Sequence, residues 1–158
     1  MFKQFYPSEY ADSAYTISYK SLKERGIKGI VFDIDNTLVP HGAPADDRAI
    51  ELFAALKELK IKTCLLSNNR EARVRSFAKA VGCGYICKGR KPSRKGYRIA
   101  MERMGTDCSS TIFIGDQLFT DIWGANRTGI RSILVKPVQS REEIQIILKR
   151  IPEKLMLW

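Results

Sequence analysis

The stretch Gly29–Leu38, GIVFDIDNTL, decides the fold that the sequence predicts. It begins as a run of apolar residues, which is typical of a buried strand in a parallel sheet. The run ends in two carboxylates one residue apart, Asp33 and Asp35, followed by Asn36 and Thr37. Two acids this close repel each other, so the end of this strand needs compensating positive charge.

The length and composition are those of an ordinary globular domain. The chain has 158 residues, of which 44% are hydrophobic and 28% charged, enough to bury a core. No apolar run approaches the roughly 20 residues of a membrane span. The first residues are interrupted by Pro7, Glu9 and Asp12 and do not resemble a secretory signal. We therefore expect a cytoplasmic protein.

The chain is strongly basic, with a net charge of +10. Residues 88–98, KGRKPSRKGYR, hold six Lys or Arg residues and no acid. Such a patch attracts nucleic acid, an anionic membrane surface or a phosphorylated substrate. Composition alone favours a simpler interpretation, a solvated helix face that keeps the protein soluble.

The cysteines do not form a recognisable metal motif. Cys64 lies in an apolar run, and Cys83 and Cys87 are separated by three residues rather than the two or four common in zinc sites. Cys108 is isolated, and His41 is the single histidine. We expect reduced, structural thiols rather than a metal site or a disulfide.

Strands and helices alternate along the chain, which predicts an α/β fold with a parallel sheet. The predicted strands lie at 27–33, 61–67, 85–87, 111–115 and 130–135. The predicted helices lie at about 46–60, 70–80, 93–104, 119–127 and 141–151, with Asp46 and Ser93 as N-caps. We expect a single Rossmann-like, three-layer domain over 27–158 with about five strands. Residues 1–26 form an aromatic leader that packs on the domain or docks on a partner, and packing is favoured.

Polar residues follow four of the predicted strands. In chain order they are Asp33, Asp35 and Thr37, then Ser67 and Asn68, then Lys91, and finally Asp116 and Asp121. Ligands of open parallel sheets bind beyond the carboxyl ends of the strands, so these residues should share one site. A single acid at a strand end is easily explained as a turn or helix cap, but four clusters in this order are not.

The polar residues at these strand ends suit phosphoryl transfer through a covalent intermediate. A carboxylate can attack phosphorus, and a second one can protonate the leaving oxygen and then activate water. Asp33 and Asp116 offer hard oxygen ligands for Mg²⁺. Lys91 adds a fixed positive charge, and Ser67 can donate to phosphate oxygens.

Four motifs carry a resemblance to a known family. They are DIDNT at 33–37, LLSN at 65–68, KP at 91–92 and GDQLFTD at 115–121. From about residue 27 to residue 135 the chain resembles the phosphatase branch of the haloacid dehalogenase superfamily. It is most similar to the subfamily IIIA phosphatases of the YqeG type.

The resemblance implies roles for the acids and the lysine. Asp33 would be the nucleophile that forms an aspartyl-phosphate, and Asp35 the general acid and base. Asp33, Asp116 and the backbone carbonyl of Asp35 would bind Mg²⁺, with Asp121 in support. Lys91 would stabilise the nucleophile and the phosphate charge.

The resemblance also assigns Thr37, Ser67 and Asn68 to the phosphate-binding loops. The resemblance also distinguishes a phosphatase from two other branches of the superfamily. The dehalogenases lack an acid two residues after the nucleophile, and the P-type ATPases have Thr there. Asp35 can drive hydrolysis of the intermediate, which favours a phosphatase.

The spacing of the motifs leaves no room for a cap domain. Only residues 36–45 separate the first motif from its helix, and residues 69–90 hold one helix and a short strand. An open site favours a large or surface-presented substrate, since a small one would gain little exclusion of water. Relatives of the YqeG type include phosphatidylglycerophosphate phosphatases, so a phospholipid headgroup is a candidate. The aromatic leader and the basic surface would suit peripheral membrane contact.

Two other classes compete with the phosphatase. A response-regulator receiver has a similar acidic cluster but places its phosphoacceptor after the third strand, where this chain has Cys87 and Lys88. A basic protein with the same fold could instead associate with nucleic acid or the ribosome. The sequence leaves nucleic acid open as a partner, and likewise the oligomeric state.

Overall fold

A computed structural model describes residues 3–139. These residues form a six-stranded sheet in which every neighbouring pair of strands is parallel. The strands are β1 (Glu9–Ala11), β2 (Gly29–Phe32), β3 (Lys62–Leu66), β4 (Gly84–Ile86), β5 (Thr111–Gly115) and β6 (Arg131–Val135). Their order across the sheet is β1-β6-β5-β2-β3-β4. The helix predicted at 141–151 lies outside the described residues.

Five α-helices accompany the sheet. They are α1 (Tyr19–Glu24), α2 (Asp47–Glu58), α3 (Glu71–Val81), α4 (Arg94–Met104) and α5 (Trp123–Thr128). A 3-10 helix, Lys3–Phe5, precedes β1, and a π-helix, Leu118–Ile122, runs into α5. Within residues 3–139, no helix combines the length and the apolarity that crossing a bilayer requires.

The sheet has six strands rather than about five because the leader contributes β1. Tyr10 of β1 is paired with Leu134 of β6, which adds an edge strand to the sheet. A three-residue strand with an exposed tyrosine carries no apolar run, so hydrophobic periodicity does not detect it. The predicted domain boundary at residue 27 stays a prediction.

Alternation along the strands buries both faces of the sheet. In β2, Ile30 and Phe32 point to one face and Val31 to the other, and all three are fully buried. The first face packs against α1, α2 and α3, and the second against α4 and α5. The α/β, three-layer architecture predicted from the sequence is confirmed.

Capping explains where several helices begin and end. Asp46 accepts a hydrogen bond from the Ala49 amide at 2.8 Å, as expected for the N-cap of α2. Ser93 precedes α4, but its side chain makes no capping hydrogen bond. Gly82 ends α3 with φ of 75°, a left-handed conformation that glycine adopts without a steric penalty.

All four cysteines are free thiols. Cys64 is buried in the core, as its apolar surroundings predict, and Cys108 is exposed. Burial raises the pKa of Cys64 to about 11, so its thiol stays protonated and unreactive at neutral pH.

Candidate active site

The candidate active site lies where the loops after β2, β3 and β5 meet at the carboxyl edge of the sheet. Phe32 at the end of β2 is paired with Leu65 of β3 and Ile114 of β5, so the residues after these strands are brought together. They border a cavity of about 330 Å³. It is lined by Asp33, Asp35, Asn36, His41, Ser67, Asn68, Asn69, Lys91, Gln117 and Thr120.

Lys91 is a buried cation between two carboxylates. Its Nζ lies 2.8 Å from Asp33 Oδ1 and 2.5 Å from Asp121 Oδ1, and its side chain is only 4% exposed. Burial alone would lower the pKa of Lys91, but the carboxylates of Asp121 and Asp33 outweigh it and raise the pKa above its ordinary value. The lysine is therefore charged, and it fixes one oxygen of Asp33.

Thr37 joins the first motif to the fourth. Its hydroxyl lies 3.2 Å from Asp33 Oδ2 and 3.1 Å from Asp116 Oδ1. The side chain is buried and does not line the cavity. The structure thus places Thr37 behind the two carboxylates, where it sets their relative positions. Its predicted role in binding phosphate stays a prediction.

Three carboxylates crowd together with one lysine. Single oxygens of Asp33, Asp116 and Asp121 lie within 4.8 Å of one another. Burial, followed by the charges of Asp33 and Asp121, raises the pKa of Asp116 to about 8. Burial and Asp33 likewise raise the pKa of Asp121 to about 6, although Lys91 opposes the shift. One lysine does not neutralise three acids, so the cluster favours an additional cation.

Asp121 is already engaged on both of its oxygens. Oδ1 contacts Lys91, and Oδ2 accepts a hydrogen bond from the Gln117 amide at 3.2 Å. Asp33 and Asp116 are joined through Thr37 at the edge of this group. Asp33 is likewise contacted on both oxygens, by Lys91 and Thr37, whereas within residues 3–139 the contact of Asp116 is to Oδ1 alone. Which of the three carboxylates bind a cation stays a prediction.

Asp35 faces a different set of partners from Asp33. Its carboxylate accepts hydrogen bonds from the Gly42 amide at 2.7 Å, the Arg73 guanidinium at 3.0 Å and the Asn69 side-chain amide at 3.4 Å. Burial raises the pKa of Asp35, but the hydrogen bonds from Gly42 and Arg73 outweigh it and lower the pKa below its ordinary value. The two acids of the first motif are thus held separately while lining one cavity.

The second motif supplies two residues to the cavity wall, Ser67 and Asn68, and Asn68 also holds the backbone of Lys91. The Ser67 hydroxyl is buried and accepts a hydrogen bond from the Asn69 amide at 3.0 Å. Asn68 Oδ1 accepts the amide hydrogen of Lys91 at 2.8 Å, and Asn68 Nδ2 donates to the Lys91 carbonyl at 3.4 Å. Asn68 therefore holds the backbone on both sides of the buried lysine.

The loop before Lys91 has an unusual backbone. Lys88 and Arg90 adopt left-handed conformations with φ of 47° and 52°, which non-glycine residues rarely do. Between them Gly89 lies against Leu66, and a Cβ there would overlap that side chain. The loop turns Lys91 inward while Arg90 stays exposed, so one member of the basic stretch is separated from the rest.

Several residues in the cavity wall or behind it were not predicted from the sequence. Asn69 and Arg73 contact Asp35, and Gln117 and Thr120 line the cavity from the π-helix side. The doubled asparagine after the second predicted strand is a signal that could have pointed to Asn69. Arg73 carries no such signal, because an arginine in the first turn of a helix is usually a solvated residue.

Comparisons with known proteins agree with this geometry. The family model described as haloacid dehalogenase-like hydrolase matches residues 41–129. The "Probable phosphatase YqeG" of Bacillus subtilis is 41% identical over 159 residues, an alignment that covers 99% of this chain and 92% of the relative. These two matches are the ones that establish the family.

More distant matches are weaker in sequence. "Phosphatidylglycerophosphate phosphatase 1, chloroplastic/mitochondrial" of Arabidopsis thaliana is 27% identical over 142 residues, which cover 83% of this chain but 40% of the relative. A HAD-superfamily hydrolase from Ehrlichia chaffeensis has a TM-score of 0.58 at 17% identity, over 80% of this chain and 98% of that chain, a likeness of fold. With the family model and the 41% identical phosphatase, the chain belongs to the haloacid dehalogenase-like hydrolases and is a phosphatase of that family, as its motifs predict.

Proposed function

We propose that this phosphatase hydrolyses phosphate monoesters through an aspartyl-phosphate on Asp33, and that it depends on Mg²⁺. The observation that carries the proposal is the buried arrangement around Asp33. Lys91 fixes one of its oxygens at 2.8 Å, and Thr37 links the other to Asp116. A carboxylate restrained in this way, at the wall of a polar cavity, is suited to attack phosphorus.

The reaction would proceed in two steps on one phosphorus atom. Asp35 is ionised in the free protein, because Gly42 and Arg73 lower its pKa, so it first takes up the proton that a monoanionic phosphate ester carries. In the first step an oxygen of Asp33 then forms a bond to phosphorus, the ester bond breaks, and the leaving oxygen takes that proton from Asp35. In the second step a water molecule gives its proton to Asp35 and attacks phosphorus. The bond to Asp33 breaks, and inorganic phosphate leaves. Asp35 would thus act first as an acid and then as a base.

The surrounding residues would stabilise the transferred group. Lys91 balances charge that develops near Asp33, and the Ser67 hydroxyl and Asn68 lie at the cavity wall, where they can contact phosphate oxygens. Asn68 would act in part through the backbone of Lys91, which it contacts on both sides.

Mg²⁺ fits the donor set of this cluster. The crowding that raises the pKa of Asp116 to about 8 indicates missing positive charge, and carboxylate oxygens are the hard ligands that Mg²⁺ prefers. Asp33, Asp116 and the carbonyl oxygen of Asp35 would hold the ion, with Asp121 in support. When bound, Mg²⁺ would neutralise charge on the phosphoryl oxygens.

The catalytic experiment compares wild type with Asp33→Asn on an aryl phosphate in Mg²⁺. We expect Asp33→Asn to lower turnover at least about 10³-fold, because it removes the nucleophile. Asp107→Asn, at an exposed carboxylate of the amino-edge turn, serves as the matched control and should keep activity. EDTA should inhibit the wild type, and added Mg²⁺ should restore it. Activity in Asp33→Asn, or in excess EDTA, would refute the proposed mechanism.

We further propose that the phosphate is large or presented on a membrane surface, with a cytoplasmic enzyme in peripheral contact. Only α3 and β4 lie between the second and third motifs, so a substrate enters an open cavity. Phe119 is 69% exposed and Tyr6 62%, and Phe119 packs 5.4 Å from Phe5 of the leader. Exposed aromatic residues beside a basic surface suit the interface of an anionic bilayer.

The headgroup of phosphatidylglycerophosphate is one candidate, since the Arabidopsis relative bears that name. Hydrolysis of this lipid in vesicles should exceed that of sugar phosphates and nucleotides. Phe119→Ser should lower turnover of the lipid while leaving the aryl phosphate unchanged. Equal turnover of all substrates would contradict the lipid proposal and leave the phosphatase standing.

Nucleic-acid binding is the alternative. The exposed members of the basic stretch would attract RNA, and that binding should weaken steeply with salt. This alternative gives no reason for the buried group of Asp33, Lys91 and Asp121, which is why we favour catalysis. RNA binding that survives Asp33→Asn, without phosphatase activity in the wild type, would support it instead.

A further inference from the structure

The side chain of Asp35 is held by a small network outside the predicted motifs. The Gly42 amide and the Arg73 guanidinium both donate to Oδ1, at 2.7 and 3.0 Å. Asn69 donates to Oδ2 at 3.4 Å. Both side chains of the Asp35–Arg73 ion pair are only 16% exposed, so solvent screens the pair less than it would a surface pair. The carboxylate therefore has a defined orientation.

Arg73 is itself restrained. It lies in the first turn of α3, and its guanidinium carbon is 5.5 Å from the centre of the Phe77 ring, one helical turn further on. Its Nε is buried and has no hydrogen-bond partner among residues 3–139. Over the same residues the only side-chain hydrogen bond of Arg73 goes to Asp35. Burying a guanidinium with an unpaired Nε costs free energy of desolvation. An arginine placed in this way, and directed at a single carboxylate, is not explained as a surface charge.

The backbone that carries Asp35 is anchored in the core, since Ile34 and Leu38 are fully buried, so what Arg73 restrains is the Asp35 side chain. Asp35 follows β2 in a loop, and its neighbour Asn36 has a left-handed φ of 62°. The loop turns back at Gly42, whose amide reaches the same carboxylate oxygen as Arg73. Among the partners of the Asp35 carboxylate, Arg73 is the side chain that extends from a helix and carries a charge. Without it, the carboxylate would keep the Gly42 amide and the longer Asn69 contact, and other rotamers would become more populated.

We propose that Arg73 is a positioning residue that sets the orientation of Asp35 for proton transfer to the leaving oxygen. The inference rests on the proposed function, in which Asp35 is the acid and base. Proton transfer requires the acid to lie within hydrogen-bond reach of the leaving oxygen, so a misplaced carboxylate loses most of its effect. Arg73 thus contributes to catalysis without touching the reacting atoms.

The acidity of the leaving group gives a specific readout. An aryl phosphate such as p-nitrophenyl phosphate leaves as a stable anion and gains little from an acid, whereas an alkyl phosphate such as glycerol phosphate leaves as an alkoxide and needs the proton. The ratio kcat/KM covers the steps up to transfer of the phosphoryl group to Asp33. It is therefore sensitive to Asp35 as an acid and not to its later role as a base.

The experiment measures kcat/KM of Arg73→Gln on both substrates in Mg²⁺. We expect about a 10- to 100-fold loss on the alkyl phosphate, within the range of acid catalysis, and less than about a threefold loss on the aryl phosphate. Arg73→Lys keeps the charge without the planar fork and should recover part of the loss. Arg75→Gln, an exposed arginine of the same helix, is the matched control and should behave as wild type on both substrates.

A double-mutant cycle tests whether Arg73 acts through Asp35. In an Asp35→Asn background, Arg73→Gln should cost nothing further on the alkyl phosphate, since the group it positions is already gone. Equal losses on both substrates would indicate phosphate binding or a structural defect and would overturn the inference. Additive losses in the cycle would overturn it too. Should Arg73→Gln fail to fold by circular dichroism, the same comparisons are made with Arg73→Lys.

The two proposals fail in different ways. A wild type that is inactive on both substrates, or an active Asp33→Asn variant, would refute the proposed function. Either result would refute the inference as well. An active wild type that needs Asp33 but shows no leaving-group effect in either Arg73 variant would refute the inference alone.

Discussion

The two edges of the sheet differ in what their polar residues do. At the carboxyl edge, a cavity of about 330 Å³ is bordered by Asp33 and Lys91, both buried. At the amino edge of β3 and β4 lies a cavity of about 600 Å³, nearly twice the size. Its lining includes Phe53, Cys64 and three lysines but no carboxylate and no histidine. The larger cavity therefore lacks the carboxylates with which the carboxyl edge can bind a cation or attack phosphorus.

The contacts at each edge span different distances along the chain. At the amino edge, Asp107 accepts hydrogen bonds from the amides of Ser109 and Ser110, two and three residues away. At the carboxyl edge, Lys91 reaches Asp33 across 58 residues, and Thr37 reaches Asp116 across 79 residues. Local contacts shape a turn, whereas long-range contacts between charged groups assemble a site.

The largest difference between the edges should appear when a lysine is replaced at each. Lys91→Met leaves Asp33 and Asp121 buried without their cation. We expect the free energy of unfolding to fall by about 3–5 kcal/mol and aryl phosphatase activity to fall at least about 10³-fold. Lys62→Met, at the exposed start of β3, should change the free energy of unfolding by less than about 0.5 kcal/mol.

Urea unfolding in EDTA and a steady-state assay in Mg²⁺ measure the two effects. If Lys62→Met destabilised the protein as much as Lys91→Met, the carboxyl edge would hold no special electrostatic arrangement. The contrast between the carboxyl edge and the amino edge would then not hold.

A pair of glycines gives the next largest contrast. A Cβ on Gly115, at the end of β5, would overlap the carboxylate of Asp121, whereas a Cβ on Gly84, at the start of β4, would meet nothing within 4 Å. Gly115→Ala should therefore cost about 1–3 kcal/mol of stability and displace the partner of Lys91, with activity falling at least about tenfold.

Gly84→Ala should keep full activity and leave the melting temperature unchanged or slightly higher. Thermal unfolding and the aryl phosphate assay distinguish the two variants. Wild-type activity in Gly115→Ala would mean that the position of Asp121 is not critical for the reaction.

The smallest expected effect is a pH dependence confined to the carboxyl edge. The pKa of Asp116 is about 8 in the folded protein against an ordinary value of 3.8. Between these values the folded state binds more protons than the unfolded state, so stability should fall as pH rises. In metal-free protein, Asp116 should contribute a slope of at most about 1.4 kcal/mol per pH unit between pH 6 and 8.

Asp116→Asn should remove that slope, and saturating Mg²⁺ should remove it in the wild type by keeping the carboxylate ionised. Asp107→Asn, at the amino edge, should leave the slope in place, because hydrogen bonds from Ser109 and Ser110 lower the pKa of Asp107. Unfolding curves at several pH values in EDTA provide the measurement. A stability of wild type that rises from pH 6 to 8 would contradict the shift at Asp116.

The carboxyl edge was largely predictable because its residues stand at strand ends. The apolar runs locate β2 and β5, and parallel pairing brings Asp33 and Asp116 together once the strands are assigned. Lys91 was also predicted, although nothing in KGRKPSRKGYR shows that one of its six basic residues is buried. That burial depends on the left-handed residues around Gly89, which sequence patterns do not reveal.

The rest of the site depends on tertiary contacts. Thr37 lies behind the carboxylates because the loop after β2 folds back, and Arg73 turns inward because Asp35 is there. The strand β1 is too short for periodicity to detect. In each case a partner far along the chain determines the position, and local pattern gives no information about it.

The crowded carboxylates have an evolutionary consequence. Keeping Asp33, Asp116 and Asp121 within 4.8 Å of one another destabilises the metal-free fold, so selection for catalysis retains them against the stability of the chain. A descendant released from catalysis would gain stability by replacing Asp116 with a neutral residue. Lineages that lose the activity should therefore lose this aspartate early, while Gly115 and the strands persist.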